Sequence, residues 1–468
     1  MLIFRKIIFY IFVLIYLVAC PIMILYAFGY ILKPDISELM LETGTVYLSS
    51  TPPGASIYID KELSPSTTPA LFEKLIPKEY RIALFLEKHN VWTDALTVKS
   101  MEAITLDKII LIPKEWKRQL ISSNKFTDLF SIPKMPFFIA KRGMRLQDYL
   151  VCNYKTKELS KVIDPGSPYA DLEVINIFSV DGSGVIVFQV SQEAENNFLW
   201  ADLTENKITL EDVTNLFPEI PQSVFWDPSD KYNIFTFQKN FVNRLDVKEK
   251  AIYPDFVEHL RGFGVSNKLL YVLKESNIIF SMNYSKNSRT KILEDVDLGK
   301  SIFGEVGKFK IMPFFGDTII FLGDNGELLA NKLPYNFVTS GVRGVVFDND
   351  NKRVLFHQND RVGIIDFLRE TTGSVAFEMG PKVSWIFTGG KDIRQVFWAY
   401  DASHVIFLDG NTVFLLNTSP HGSLSPIDLF EVKKGSSIFY SDVTGYLYYV
   451  DSKSEELVST DILQGARS

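Results

Sequence analysis

The sequence predicts an all-β chain behind a single N-terminal transmembrane helix. Three observations carry that expectation: an uncharged apolar run from Ile7 to Leu32, short apolar strands alternating with polar turns after residue 40, and one strand phrase that returns at a long, regular period. A helix through the 26 residues of the run reaches about 39 Å, enough to cross a hydrocarbon core of roughly 30 Å with some tilt. Arg5 and Lys6 precede it, whereas Lys33, Asp35, Glu38 and Glu42 follow. The positive-inside bias therefore puts residues 1–6 in the cytoplasm, residues 7–32 in the membrane and the bulk of the chain outside the cytoplasm.

A cleavable signal peptide has an apolar core of only ~7–15 residues, shorter than this run. Leu17-Val18-Ala19-Cys20 resembles a bacterial lipobox, in which Cys20 would be lipidated. Twelve further apolar residues follow Cys20 where a mature lipoprotein turns polar, so the run is read as a span and Cys20 as unmodified.

Composition narrows what the remainder does. The chain has two cysteines, Cys20 and Cys152, and the first lies in the apolar run, so no intrachain disulfide staples the exported part. The net charge of −7 and the lack of a basic tract beyond the N-terminus argue against nucleic acid as a partner. Aromatic residues make up 13%, with 37 Phe and 20 Tyr, a content that favours strands.

From Thr45 to Ile112, apolar side chains recur at every second position in Thr45-Val46-Tyr47-Leu48-Ser49, Ser56-Ile57-Tyr58-Ile59-Asp60 and Tyr80-Arg81-Ile82-Ala83-Leu84-Phe85-Leu86, so each strand has one face to bury. Pro53-Gly54 suits a tight turn, since Pro fixes φ and Gly tolerates positive φ. The motif Pro52, Pro53, Gly54, Ala55, Asp60, then Thr68-Pro69, then Tyr80, with Trp92 further on, resembles the PEGA family, a small β module of surface proteins. Where the family usually carries glycine, this chain has Lys61 after Ile59-Asp60, Pro65 or Ser66 before Thr67-Thr68-Pro69, and Lys78 before the long strand. The turn that follows reads Lys88-His89-Asn90-Val91-Trp92 without the usual Gly-Tyr. The resemblance implies a structural or binding module with no catalytic residues. Residues 113–136, with Pro113, Trp116, Ser122 and Ser123, read as a linker or short helix.

From residue 137 to 463 a polar turn, an apolar strand, a second polar turn and another strand ending in Asp or Asn recur seven times. The first strands of the pairs begin at Val185, Ile234, Leu269, Thr318, Arg353, Val405 and Tyr446, with preceding turns at Asp181-Gly182-Ser183-Gly184, Asp227-Pro228-Ser229-Asp230, Asp348-Asn349-Asp350-Asn351 and Asp401-Ala402-Ser403-His404. The second strands end at Asp202, Asp246, Asp366, Asn417 and Asp461. The six intervals average about 43 residues, inside the ~40–45 of propeller blades and unlike the ~8–12-residue turn spacing of a sandwich. Phe225-Trp226-Asp227-Pro228-Ser229-Asp230-Lys231 is similar to the turn phrase of WD-repeat and TolB-like propellers. A seven-bladed β-propeller is expected, with Asp148–Tyr154 completing the last blade. Phe137-Phe138-Ile139-Ala140 as part of a further blade gives eight instead.

No catalytic or metal motif accompanies these elements. The five histidines, His89, His259, His357, His404 and His421, lack ligand spacing, and His404 reads as a solvated turn residue. Asp348-Asn349-Asp350-Asn351 begins like a calcium loop, but Arg353 stands where its sharp-turn glycine belongs. No cofactor is implied. The expected protein is a bacterial, single-pass membrane protein that binds or scaffolds an envelope protein or polysaccharide without catalysis. The competing class is an extracytoplasmic propeller enzyme, a hydrolase or lyase on envelope polysaccharide or peptide, because fold alone does not exclude chemistry. A sensor that signals through the helix needs a domain ahead of Ile7, where six residues stand.

Overall fold

The computed structural model describes residues 2–27, 30–32, 40–132, 135–179, 184–192, 195–204, 208–226, 230–266, 268–284, 289–294, 307–332, 338–367, 382–400, 402–418 and 425–462. Lys33, Asp35, Glu38, Asp181-Gly182-Ser183, Asp227-Pro228-Ser229, Asp401 and His421 lie outside the described residues. The chain divides into two compact units, one of residues 1–117 with 419–423 and 461–468, the other of residues 118–418 and 424–460.

In the first unit, helix α1 runs Leu2–Ala27 with Pro21 inside it. It starts upstream of the expected span because Arg5 and Lys6 are good helix formers, and hydropathy marks burial and not helix ends. The last residues of the apolar run leave the helix: Tyr30–Leu32 is a strand paired antiparallel with Met40–Glu42, in keeping with the strand preference of Tyr and Ile. Among the described residues no helix is long and apolar enough to cross a membrane.

Two sheets follow. One has the order Ala70–Leu75, Gly44–Thr51, Ala103–Ile110; the other has the order Glu62–Thr67, Ser56–Ile59, Lys78–Phe85, Trp92–Val98. Strict alternation in Gly44–Thr51 and in the centre of Lys78–Phe85 turns one face of each inward. Val46, Leu48, Ala55, Ile57, Tyr80, Ile82, Leu84, Leu96, Ile104 and Leu106 join in one buried core.

The second unit is a succession of antiparallel meanders, the sheet form of propeller blades. Among the described residues there are eight, spanning 128–161, 173–212, 223–258, 260–294, 309–330, 344–388, 393–431 and 439–461. The expected first strands of the seven phrases are all second strands of sheets, and Asp202, Asp246, Asp366, Asn417 and Asp461 each close a third strand. The eighth sheet is the region around Phe137–Lys141, which pairs with Tyr149–Asn153. Tyr149–Asn153 therefore belongs to its own sheet and does not complete the last one. That place is taken by Arg118–Lys125, which pairs antiparallel with Glu456–Asp461. Residues 113–136 thus hold two strands, Arg118–Lys125 and Asp128–Ser131, where a linker was expected.

Neighbouring sheets share their cores. Ile139, Val151, Ile186 and Phe188 join the first two; Trp200, Trp226 and Ile234 join the second and third; Leu355, Phe407 and Leu416 join the sixth and seventh. Phe138, Cys152, Phe439, Tyr448 and Leu457 join the first sheet to the last, and the Tyr448 hydroxyl donates to the Tyr154 carbonyl at 2.9 Å. The fourth and fifth sheets are also joined by a parallel pairing of Gly262–Phe263 with Phe309–Lys310. A Cβ on Gly264 would stand 2.0 Å from the Ile311 carbonyl oxygen, so only glycine permits that approach.

Ion pairs tie strands together, some within a sheet and some across to the next. Asp202 accepts from Lys231 of the next sheet and from the Thr204 amide and hydroxyl. Arg353 bridges Asp348 at 3.0 Å and the Ala402 carbonyl at 2.6 Å. Asp451 accepts from Arg118 at 2.6 Å and from the Lys453 and Ser454 amides at 2.9 Å. Burial pushes Asp202 and Asp451 up, but these donors outweigh it and hold both below the usual aspartate value. A carboxyl depressed in the folded state adds stability above its unfolded pKa and loses it as the pH falls through the folded value. We therefore expect thermal melting to be flat above pH ~4 and to weaken below 3.8, with Asp451→Ala costing about 1–3 kcal/mol at neutral pH and flattening part of the acid limb.

Candidate functional site

The PEGA-like motif residues gather into one polar knot and one turn. Gly54 takes φ +87°, which favours glycine. Its amide donates to the Thr68 carbonyl at 2.7 Å, and the Thr68 amide returns to the Ala55 carbonyl at 2.9 Å. The Ala55 amide donates to Thr68 Oγ1 at 3.0 Å, Thr68 Oγ1 lies 2.7 Å from Ser50 Oγ, and Ser50 Oγ donates to the Pro52 carbonyl at 2.8 Å. Since Ser50 spends its proton on Pro52, Thr68 is the donor in the hydroxyl pair, and the four groups form a directed relay. Ser50 and Thr68 are 4% and 2% exposed, so each bond replaces water that is not there. Pro53 and Pro69 flank this knot in sequence. Ser50 escaped the motif reading although it stands directly before Thr51-Pro52-Pro53; its neighbours drew attention to the turn and not to the hydroxyl.

Asp60 and Tyr80 fix the other end of the sandwich. Asp60 Oδ1 accepts the Arg81 amide at 3.0 Å, and Oδ2 pairs with Lys78 Nζ at 2.6 Å. Lys78 and then the Arg81 amide hold the Asp60 carboxyl below its ordinary value. The Tyr80 ring is buried, its hydroxyl donates to the Ile76 carbonyl at 2.9 Å, and Lys78 Nζ lies 4.5 Å from the ring centroid. Lys61 and Lys88 take φ +74° and +63°, so the turns that glycine serves in the family keep left-handed geometry on lysine.

Of these residues Lys61 and Arg81 border an open space, which lies on the outer face of the same sheet. Register aligns Tyr58 with Ala83 and Ala83 with Thr93 in one row, and Arg81 with Ala95 in the next. Small side chains at Ala83 and Ala95 leave a trough between larger neighbours. The resulting cavity of about 480 Å³ is lined by Tyr58, Lys61, Arg81, Thr93 and Asp94 around those alanines, a size typical of ligand pockets. Its lining combines an aromatic ring, two cations and a hydroxyl: groups that bind and orient but form no nucleophile–base pair.

Several other titratable groups are buried or held in structural contacts. His404 begins a strand and is 3% exposed, with Nδ1 2.9 Å from Ser403 Oγ; it is a core residue, not a solvated one, because its strand runs into the interior. His357 is buried and held below the ordinary histidine value by that burial. Asp348 is taken by Asn351 and Arg353. Burial pushes the Cys152 thiol up to about 12, which keeps it protonated. Cys20 lies within α1. Among the described residues no three His, Cys, Asp or Glu side chains are grouped to hold a metal ion.

Replacing Thr68 by Val keeps the shape but strands the Ala55 amide and deprives Ser50 of its donor. We expect a loss of about 1–3 kcal/mol in chemical denaturation, with Ser50→Ala costing less because the Ala55 amide keeps its acceptor.

Three solved structures are similar to the chain in outline. The β-propeller domain of Cps50 (Swd1) from Myceliophteria thermophila is 9% identical, with 74% of this chain and 100% of that one covered, at a TM-score of 0.42. The computationally designed Ika8 protein is 10% identical, with 74% and 99% covered and a TM-score of 0.43. YCF48 from Cyanidioschyzon merolae is 11% identical, with 74% and 98% covered and a TM-score of 0.37. Likenesses of this size carry nothing about residues or activity. No curated protein matches the chain in sequence. The family model that matches is the PEGA domain, over residues 43–110, the segment that holds both the Ser50–Thr68 knot and the trough.

Proposed function

We propose that the chain is a membrane-anchored, non-catalytic binding and scaffolding protein of a bacterial cell envelope, with its bulk outside the cytoplasm. It carries a PEGA domain and an eight-bladed propeller whose first and last blades are latched by Arg118–Lys125. The single observation behind this reading is α1: every described side chain from Ile7 to Val18 is exposed, Phe12 and Tyr16 at 70% each. A helix that is apolar on all sides needs an apolar surrounding, and at about 25 cal/mol per Å² no water-exposed arrangement tolerates it. The cationic pair Arg5 and Lys6 then marks the cytoplasmic end. The partner is an envelope protein or polysaccharide and not nucleic acid, as the net charge of −7 favours.

The test is fractionation with topology mapping. The full chain is expected in the membrane pellet after an alkaline carbonate wash, and a C-terminal tag is expected to be cut by protease added to cells whose outer layers are opened but whose cytoplasmic membrane is intact. A variant lacking residues 2–27 is expected in the soluble fraction. Release of the full chain by carbonate, or a tag protected until lysis, overturns the reading.

A further inference from the structure

We infer that the trough on the outer face of the PEGA sheet is a glycan subsite that takes a pyranose ring bearing an anionic substituent. This deepens the binding role proposed above by naming its ligand class, and it rests on geometry that does not involve α1.

The floor is made by two small side chains from adjacent strands, Ala83 and Ala95, so a flat ring can lie against the sheet without displacing anything. Tyr58 stands beside Ala83 on the neighbouring strand. An aromatic face next to a level floor suits the C–H surface of a sugar, because the ring offers a large rigid contact at small entropic cost. The rim supplies polar groups of two kinds. Lys61 and Arg81 are cations that draw in a carboxylate or phosphate, the guanidinium with bidentate geometry. Thr93 is suited to ring hydroxyls as either donor or acceptor, whereas the Asp94 carboxylate stands on the side of Leu96, where its Oδ1 accepts the Ala95 amide at 2.8 Å. The two cations make the lining net positive, although the chain as a whole is negative. A neutral sugar leaves the two cations without a counter-charge, and a bare anion leaves the floor and Tyr58 uncovered. Only a ring and a charge together use the whole lining.

Lys61 is held at its place by the two-residue turn Asp60-Lys61, in which both residues take positive φ. Asp60 is itself anchored by Lys78 and the Arg81 amide. The cationic rim is thus fixed to the sheet through main-chain contacts and does not hang from a free loop.

The test is calorimetric titration of the detergent-solubilised full chain with trigalacturonate, glucose 6-phosphate, maltotriose, inorganic phosphate and polyglutamate. Trigalacturonate or glucose 6-phosphate is expected to bind at least tenfold more tightly than maltotriose, phosphate and polyglutamate; which of the two is preferred tells a uronic acid from a sugar phosphate. Tyr58→Ala and Arg81→Gln are each expected to weaken that binding tenfold or more. Ala95→Phe, which fills the floor while leaving every polar group in place, is expected to abolish it, with the melting temperature of each variant measured to show that the fold persists. Absence of binding by both anionic sugars, equal binding of maltotriose or polyglutamate, or full affinity in the Ala95→Phe variant overturns the inference. None of these results depends on where the chain fractionates, so failure here and failure of the anchoring model are separate outcomes.

Discussion

The architecture of the larger unit depends on one constraint: each meander of three or four strands has two faces to cover and two open edges, and none is stable alone. Faces are covered by the adjoining sheet, as in the shared clusters around Phe188, Trp226 and Phe407. Successive sheets meet this need locally, but the first and last have a neighbour only if the chain comes back on itself. The cluster of Phe138, Phe439, Tyr448 and Leu457 covers those two faces, and the pairing of Arg118–Lys125 with Glu456–Asp461 occupies the last sheet's outer edge. Charged side chains refine this apolar plan: Lys231 and Arg353 reach across to the neighbouring sheet, and Arg118 ties its strand into the last one.

Much of this plan was legible because second strands are buried on both faces and so read as unbroken apolar runs. Asn233–Gln238 and His404–Asp409 are examples. What was not legible had a physical reason in each case. Arg118–Lys125 is an edge strand with most side chains exposed, so Arg-Gln-Leu-Ile-Ser-Ser-Asn-Lys has no face to advertise, and its partner lies more than 300 residues away. The 128–161 sheet lacks the Asp-rich turn that marked other repeats. Turns were also obscured by composition: among the described residues Lys61, Lys74, Lys88, Lys157, Lys239, Lys250, Lys268 and Lys352 all take positive φ. Lysine is no turn signal, and its use there hides hairpins that glycine or asparagine would have announced.

The candidate site shows the same limit from another side. The PEGA motif was readable as a string because Pro52, Gly54 and Pro69 are constrained by backbone geometry; Gly54 takes positive φ and the Pro52 carbonyl accepts from Ser50. The trough is assembled from Tyr58, Arg81, Ala83, Thr93 and Ala95, which alternate with core residues on three strands. Each alone looks like an ordinary outward position. Only the register, which sets Tyr58, Ala83 and Thr93 in one row, makes a surface of them.

The latch between the ends of the larger unit also has a temporal side. The strand that leaves the ribosome first, Arg118–Lys125, acquires its hydrogen-bonding partner only once Glu456–Asp461 has been made. Joining ends so remote carries a loop entropy that grows only slowly with length, but it delays the joining step itself. Until then the backbone edge of Arg118–Lys125 has no partner in the last sheet. Completion of this unit therefore falls to the final segment made, however early the other sheets form.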